Sequence, residues 1–370
     1  MTRAAEIAKM GEVLTNSQIG GRRNIIINGA MQVAQRGTSS TGIGGSAGYF
    51  TLDRWQISPN GTDGRLTMTQ DSSAPSGFAN STKLACTTAD TSIAAGEFLT
   101  FTQKIEGQDL QAFAKGTSDA KTFAVSFYVK GNANVTYVAE LMDNDNSNRH
   151  VSKSFSVTTD WTRVELSFPA DTTGAFDDDN ADSMVLNIWL HAGTNFTSGS
   201  LQTTWGALSQ TSRAVGISSF FSSTSNTFFI TGVQLEVGKT TPFEHRSFGE
   251  ELALCQRYFQ AVSIENGGTI SVGIMYDNGT GAIIPMDYKG AKMRVAPTIT
   301  MPSAGQSGGN VSLLTSTSSY PSTTGSHTAS HISVSHYSIR ANSYSGLPNA
   351  GGASWFYNNG DVVFQYDSEL

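Results

Sequence analysis

The chain has 370 residues, enough for two or three domains with at least one sizeable core, and only 14% of them are charged. With 38 glycines, much Ser, Thr and Asn, and abundant Phe, Tyr, Val and Ile, this is the usage of a turn-rich all-β protein, not of a helical bundle or a disordered chain. A formal net charge of −7, with Arg22-Arg23 as the only tight basic pair, argues against nucleic acid or an anionic membrane surface as partner.

Residues 3–14 are predicted to be a short helix, because Ile7, Met10 and Leu14 recur at i, i+3 and i+7. Such a helix, about 12 residues long, is marginal alone in water. It is expected to dock, on its own copies or on a neighbouring protein, the other reading being a frayed tail. Thr15–Arg23, with Gly20-Gly21, reads as a linker, so residues 1–23 form an N-terminal attachment segment. The opening MTRAAEIAKMGEVL has no apolar h-region, so no signal peptide is expected. No run reaches the roughly 18 apolar residues that span a bilayer. Synthesis in the cytoplasm and release by lysis fit both expectations.

Residues 24–246 carry repeated strand patterns. Phe123, Val125, Phe127 and Val129 alternate with other residues, as do Val164, Leu166 and Phe168, then Met184, Leu186, Ile188 and Leu190, then Val233, Leu235 and Val237. Period two with one apolar face predicts half-buried antiparallel strands. Many of them between Gly/Ser/Asn turns predict a jelly-roll-like β-sandwich. Ser247-Phe-Gly-Glu250 is a capping box, and Leu252, Cys255, Phe259 and Val262 keep helical spacing behind it, which predicts a joint helix over 247–263. Residues 264–370 read as a small C-terminal β tip domain. Its expected strands are Thr269–Tyr276, Gly281–Met286, Ile332–Arg340 and Ser354–Gln365, with long loops over 303–331 and a hairpin turn at Asn358-Asn359-Gly360-Asp361.

No constellation for chemistry stands out. His327, His331 and His336 lie in a Ser-rich stretch without zinc spacing, and Asp177-Asp178-Asp179-Asn180-Ala181-Asp182 lacks the Gly and terminal Glu of an EF-hand loop. Gly-x-Ser-x-Gly spacing occurs around Ser46 and Ser307, both in Gly/Ser-rich loops with no helix following. Cys86 and Cys255 read as buried thiols rather than a disulfide. No catalytic residue, metal or cofactor is therefore expected. What remains is aromatic display, which suits the apolar faces and hydroxyl edges of sugars. Asn187, Trp189 and His191 share the strand face opposite the apolar one, and Trp205 can add to them. The other reading is that Trp189 packs on a neighbouring copy or beneath a long loop. Tyr337, Tyr344, Trp355 and Tyr357 make a second aromatic group, as a binding surface or a compact core.

The segment Phe228–Tyr258, FFITGVQLEVGKTTPFEHRSFGEELALCQRY, resembles one shared by a family of tailed-phage fibre and appendage proteins. The block NIIINGAM…QRG…YFTLDRW is similar to the opening of the same proteins, and its order is also similar to that of carbohydrate-binding-module jelly rolls appended to glycosidases. The likeness covers roughly residues 24–260. It implies a non-enzymatic homotrimeric tail fibre in the virion, joined through the N-terminal helix to the tail or another fibre protein, and meeting a host-surface glycan through sandwich or tip. Two other readings stay open: a structural baseplate or capsid-decoration protein without a ligand, and a surface-polysaccharide depolymerase.

Overall fold

The computed structural model describes residues 23–266, 269–276, 280–288, 290–303, 310–314, 319–320, 326–342, 353–359 and 361–370. Ile7, Met10 and Leu14 of the expected attachment helix lie outside them. The chain divides into two compact units, Met1–Ser247 and Phe248–Leu370.

The first unit is an all-β sandwich. Its strands run β1 (Ser39–Ile43), β2 (Gly48–Tyr49), β3 (Gln56–Asn60), β4 (Arg65–Asp71), β5 (Ser81–Thr88) and β6 (Phe98–Glu106). Then come β7 (Phe123–Gly131), β8 (Val135–Asp143), β9 (Arg149–Val157), β10 (Thr162–Phe168), β11 (Asp182–Ala192) and β12 (Thr227–Val237). They form two six-stranded antiparallel sheets, β1-β4-β5-β12-β7-β10 and β2-β3-β6-β11-β8-β9, in jelly-roll fashion. Met184, Leu186, Ile188 and Leu190 of β11 join Phe123, Val125, Phe127 and Val129 of β7 in one buried cluster between the sheets. Trp55 stacks on Phe101 within it, ring centroids 4.5 Å apart.

Period two breaks once, inside β12. Phe228 and Ile230 face the core, and so do Val233 and Leu235, although the two pairs differ in parity. A bulge between Thr231 and Gln234 absorbs the extra residue, and Gly232 sits in it at φ +61°, where a side chain would be strained. Beyond the bulge, β5 no longer pairs with β12, and the segment Asn24–Gly29 takes its place. Ile25 N donates to Leu235 O at 3.0 Å and Val233 N to Gly29 O at 2.9 Å.

The outer faces are covered more than alternation predicts. Both β11 and β12 are buried on both sides along almost their whole length. Over β11 lies the connection between residues 193 and 226, which contains the short helix α1 (Thr194–Thr197) and packs Phe196, Leu201, Ala214 and Ile217 against Trp189 and Val138.

The second unit begins with α2 (Phe248–Gln256) directly after Ser247, followed by β13 (Phe259–Ile264), β14 (Thr269–Tyr276), β15 (Gly281–Asp287), β16 (Thr298–Thr300) and β17 (Asn310–Leu314). Its last strands are β18 (Ser319–Tyr320), β19 (Ser326–Ser330), β20 (His336–Asn342), β21 (Ala353–Asn359) and β22 (Val362–Asp367). One sheet is β13-β22-β16, the other β18-β17-β21-β14-β15-β20-β19. Three expectations are corrected here. The predicted helix over 247–263 stops at Gln256, and Phe259 and Val262 belong to β13, which pairs residue for residue with β22. Pairing with the C-terminal strand overrides the helical spacing. The stretch 303–331 contains three strands, β17 to β19; Val311 and Leu313 of β17 alternate into the core, a signal too short to stand out among the surrounding Ser, Thr and Gly. β21 and β22, which flank the expected turn at 358–361, belong to different sheets and do not pair with each other, and Gly360 of that turn lies outside the described residues. Cys86 and Cys255 are both buried, and they form no disulfide with one another.

Candidate functional site

The outer face of the sheet β2-β3-β6-β11-β8-β9 carries a row of polar residues brought into line by strand register. Gln56 of β3 pairs with Thr102 of β6, Thr102 with Asn187 of β11, Asn187 with Glu140 of β8, and Glu140 with Ser152 of β9. The adjacent row runs Ser58, Thr100, Trp189, Val138 and Ser154. Side chains two apart on a strand share a face, so the rows lie side by side.

Glu140 is the hub. It is fully buried and accepts a forked pair of hydrogen bonds from Arg213, Nε to Oε1 and Nη2 to Oε2, each 2.8 Å. Trp189 Nε1 donates to Oε2 at 2.9 Å and Asn187 Nδ2 at 3.0 Å, while His150 Nδ1 lies 3.2 Å from Oε1. Asn187 Oδ1 in turn accepts from Thr102 Oγ1 at 2.8 Å. Burial alone would push the Glu140 carboxyl up, but the Arg213 charge and its hydrogen bonds, then His150, outweigh burial and hold it at about 2. Arg213 also lies over the Trp189 ring, 4.7 Å from its centroid. The network fixes both the indole and the covering loop.

Beside this network opens a groove of about 290 Å³. Its floor is the two polar rows (Gln56, Ser58, Thr100, Thr102, Asn187), with Phe98 and Trp189 as rings and Lys104, Asp182 and Arg213 as charges. Lys104 Nζ is 3.5 Å from Asp182, and burial pushes the Asp182 carboxyl up in spite of it. Hydroxyls, amides, two rings and charges of both signs in one open groove can bind a polar ligand with apolar faces. A larger groove of about 390 Å³ between β8, β9 and Ser218 is lined by Asn134, Thr136, Ser156 and Thr158 but by no ring or charge.

The expected site residues fare differently. Asn187 and Trp189 both reach the groove wall, yet Trp189 is only 1% exposed, so it lies beneath the loop and is not an open platform. His191, fully buried, is turned to the far end of β11 and hydrogen-bonds Ser219 Oγ through Nδ1 at 2.8 Å. Trp205 packs against the sandwich core with Nε1 on Pro169 O at 2.9 Å and covers the buried Lys115, 5.5 Å from its ring centroid. Tyr337 is in the core of the second unit, its hydroxyl 3.0 Å from that of Tyr366, and burial raises its pKa. Tyr344 lies outside the described residues, as do the side chains of Trp355 and Tyr357, whose backbone forms β21. Sequence reasoning missed Glu140, Arg213, Thr100, Thr102 and Gln56. The one available signal was Glu140 itself, a lone carboxylate in the apolar run Val138–Met142. Among the described residues, His327, His331 and His336 form no ligand group with one another.

No protein-family profile matches the chain, and no curated protein matches it. Among solved structures, the chain is similar to the enzymatically active domain of tailspike protein 4 of bacteriophage CBA120, with 16% identity, 58% of this chain, 21% of that chain and a TM-score of 0.30. It is also similar to TmCBM61 in complex with β-1,4-galactotriose, with 10% identity over 58% of this chain and 99% of that one, and a TM-score of 0.30. A family 11 carbohydrate-binding module from Clostridium thermocellum, in complex with a mixed-linked tetrasaccharide, is similar at 12% identity over 56% and 98% of the two chains, with a TM-score of 0.28.

Proposed function

We propose that this protein is a virion tail-fibre or appendage component that attaches to a glycan on the host cell surface, without catalysis, through the groove on the outer face of β3, β6, β11 and β8. The observation that carries the glycan reading is the lining: two rows of hydroxyl and amide side chains with the half-buried ring of Phe98 beside them. Sugar hydroxyls need donors and acceptors at fixed spacing, and their C–H faces need a ring. The virion setting is supported by the segments Phe228–Tyr258 and Asn24–Trp55, which resemble those of tailed-phage fibres. A non-catalytic role fits a lining whose only aspartate or glutamate is Asp182, since glycosidases ordinarily use two carboxylates.

The test is binding of the full chain to cells of candidate hosts and to a glycan array. Ser58→Trp, which fills the groove from its floor, is expected to weaken binding more than tenfold, and Gln56→Ala about tenfold, with unchanged thermal unfolding. Binding unaffected by Ser58→Trp removes the groove from the proposal. Release of reducing ends that stops in Asp182→Asn would make the protein a depolymerase instead.

Self-association is part of the proposal. Val272 (48% exposed) and Ile274 (61% exposed) are two apart on β14 and share one face, an apolar patch open to a second copy. Light scattering of the full chain is expected to give a trimer of the 39.3 kDa chain, and Ile274→Ser to shift it toward monomer. A monomer in dilute buffer refutes this part.

A further inference from the structure

We propose that Asp90, Glu97 and His191 form a binding site for one divalent transition-metal cation of the zinc class at the far end of β11. Their ligand atoms lie within 4.8 Å of one another, and all three residues are buried. His191 Nε2 and Glu97 Oε2 are 3.7 Å apart. Both of these atoms are buried and neither has a hydrogen-bond partner. Among the described residues, neither carboxylate is ion-paired with a Lys or Arg, the only basic group beside them being His191. Two buried carboxylates and an unpartnered imidazole nitrogen facing one another are unfavourable unless something positive sits among them.

The surroundings are those of oriented ligands. Ser219 Oγ holds His191 Nδ1 at 2.8 Å, which leaves Nε2 turned to the carboxylates. Asp90 Oδ2 accepts from Thr62 Oγ1 at 2.7 Å and Asp63 N at 3.0 Å, and Oδ1 from Ser92 N at 3.3 Å. Bonds of about 2.0–2.2 Å put tetrahedral ligands roughly 3.3–3.6 Å apart, so closure asks for side-chain movements of about 1 Å or less. One imidazole with two carboxylates favours zinc-class ions over calcium, which takes oxygen ligands alone and more of them. The ligands come from two places: Asp90 and Glu97 from the connection between β5 and β6, and His191 from the end of β11. His191 adds, through Ser219, the connection that covers Trp189. The cation would therefore lock that cover. This site departs from the sequence expectation of no metal, and it stands whether or not the groove binds a glycan.

The test is titration of the metal-free full chain with ZnCl2 by calorimetry, and with CoCl2 by visible absorption, alongside thermal unfolding. One equivalent of Zn2+ is expected to bind and to raise Tm of the sandwich by roughly 5–10 °C at a hundredfold excess over Kd. Glu97→Gln and Asp90→Asn, close in shape to the wild type, are each expected to weaken binding at least tenfold. Ser219→Ala is expected to weaken it about tenfold by loosening the imidazole. Absence of a stoichiometric site, tighter binding of CaCl2 than ZnCl2, or a folded Glu97→Gln that binds Zn2+ like the wild type would each overturn the proposal. His191→Gln, if folded, must also lose the Co2+ absorption bands of nitrogen ligation, and their survival would place the metal on another histidine.

Discussion

Glu140→Gln is expected to destabilise the sandwich by about 3 kcal/mol. The substitution keeps the shape of the side chain and removes its charge. Arg213, largely buried, then loses its forked ionic partner, and the amide places a donor where Trp189 Nε1 and Asn187 Nδ2 both need an acceptor. Urea unfolding followed by tryptophan fluorescence measures the effect, since Trp55, Trp161, Trp189 and Trp205 all lie in the sandwich. Acid should act on the same bond. The folded-state pKa of Glu140, about 2, lies below its ordinary 4.5, so its contribution is complete above about pH 4.5 and is lost as pH falls through about 2. The shift corresponds to about 3 kcal/mol, the same size as the substitution, and Glu140→Gln should flatten the acid limb of the stability curve. The double variant Glu140→Leu with Arg213→Met should recover much of the loss, because it removes both charges together. A single variant within 1 kcal/mol of the wild type would mean that the network does not hold the loop.

The strands of this fold were legible because their apolar residues alternate, and β7, β10 and β11 fall where the alternation puts them. Alternation reports only which residues share a face. It does not report what covers the other face, and that is why the sequence left Trp189 open between display and burial beneath a loop. The cover is the connection 193–226, whose anchors Phe196, Ala214 and Ile217 have no period among Ser, Thr and Gly. The groove was illegible for a related reason. Gln56, Thr102, Asn187 and Glu140 come from four strands scattered between residues 56 and 187 and meet only through register, which no single strand encodes. The metal-ligating group is similar, since Asp90 and Glu97 are neighbours in sequence but His191 arrives from another strand.

The most distinctive sequence segments turn out to be fold determinants, and Gly29→Ala is expected to show it by destabilising the sandwich by roughly 3 kcal/mol or more. A Cβ on Gly29 would stand 2.1 Å from Val233 O, inside the main-chain pairing that replaces β5 beyond the bulge. Backbone on both sides leaves no flexible side chain to give way. The same clasp engages the rest of the motif. Asn24 Oδ1 accepts from Ile26 N at 3.0 Å and Leu235 N at 3.1 Å, and Glu244 accepts from Asn24 N at 2.7 Å. Arg246 Nη1 donates to Ile26 O at 3.0 Å. Asn28 accepts from Gln32 and Val33 and donates to Asp53 O, while Trp55 Nε1 donates to Asn28 O, so the Asp-Arg-Trp turn is tied into it as well. Gly45→Ala, at a glycine with open space around it, should be nearly neutral in the same denaturation experiment. If Gly29→Ala unfolds at the wild-type urea concentration, the segment Asn24–Gly29 can move off β12 without loss, and the motif needs a role other than closing the sheet. If it fails as expected, the shared segments report a common scaffold, and binding specificity has to be sought where these motifs are absent, on the polar rows of the opposite sheet.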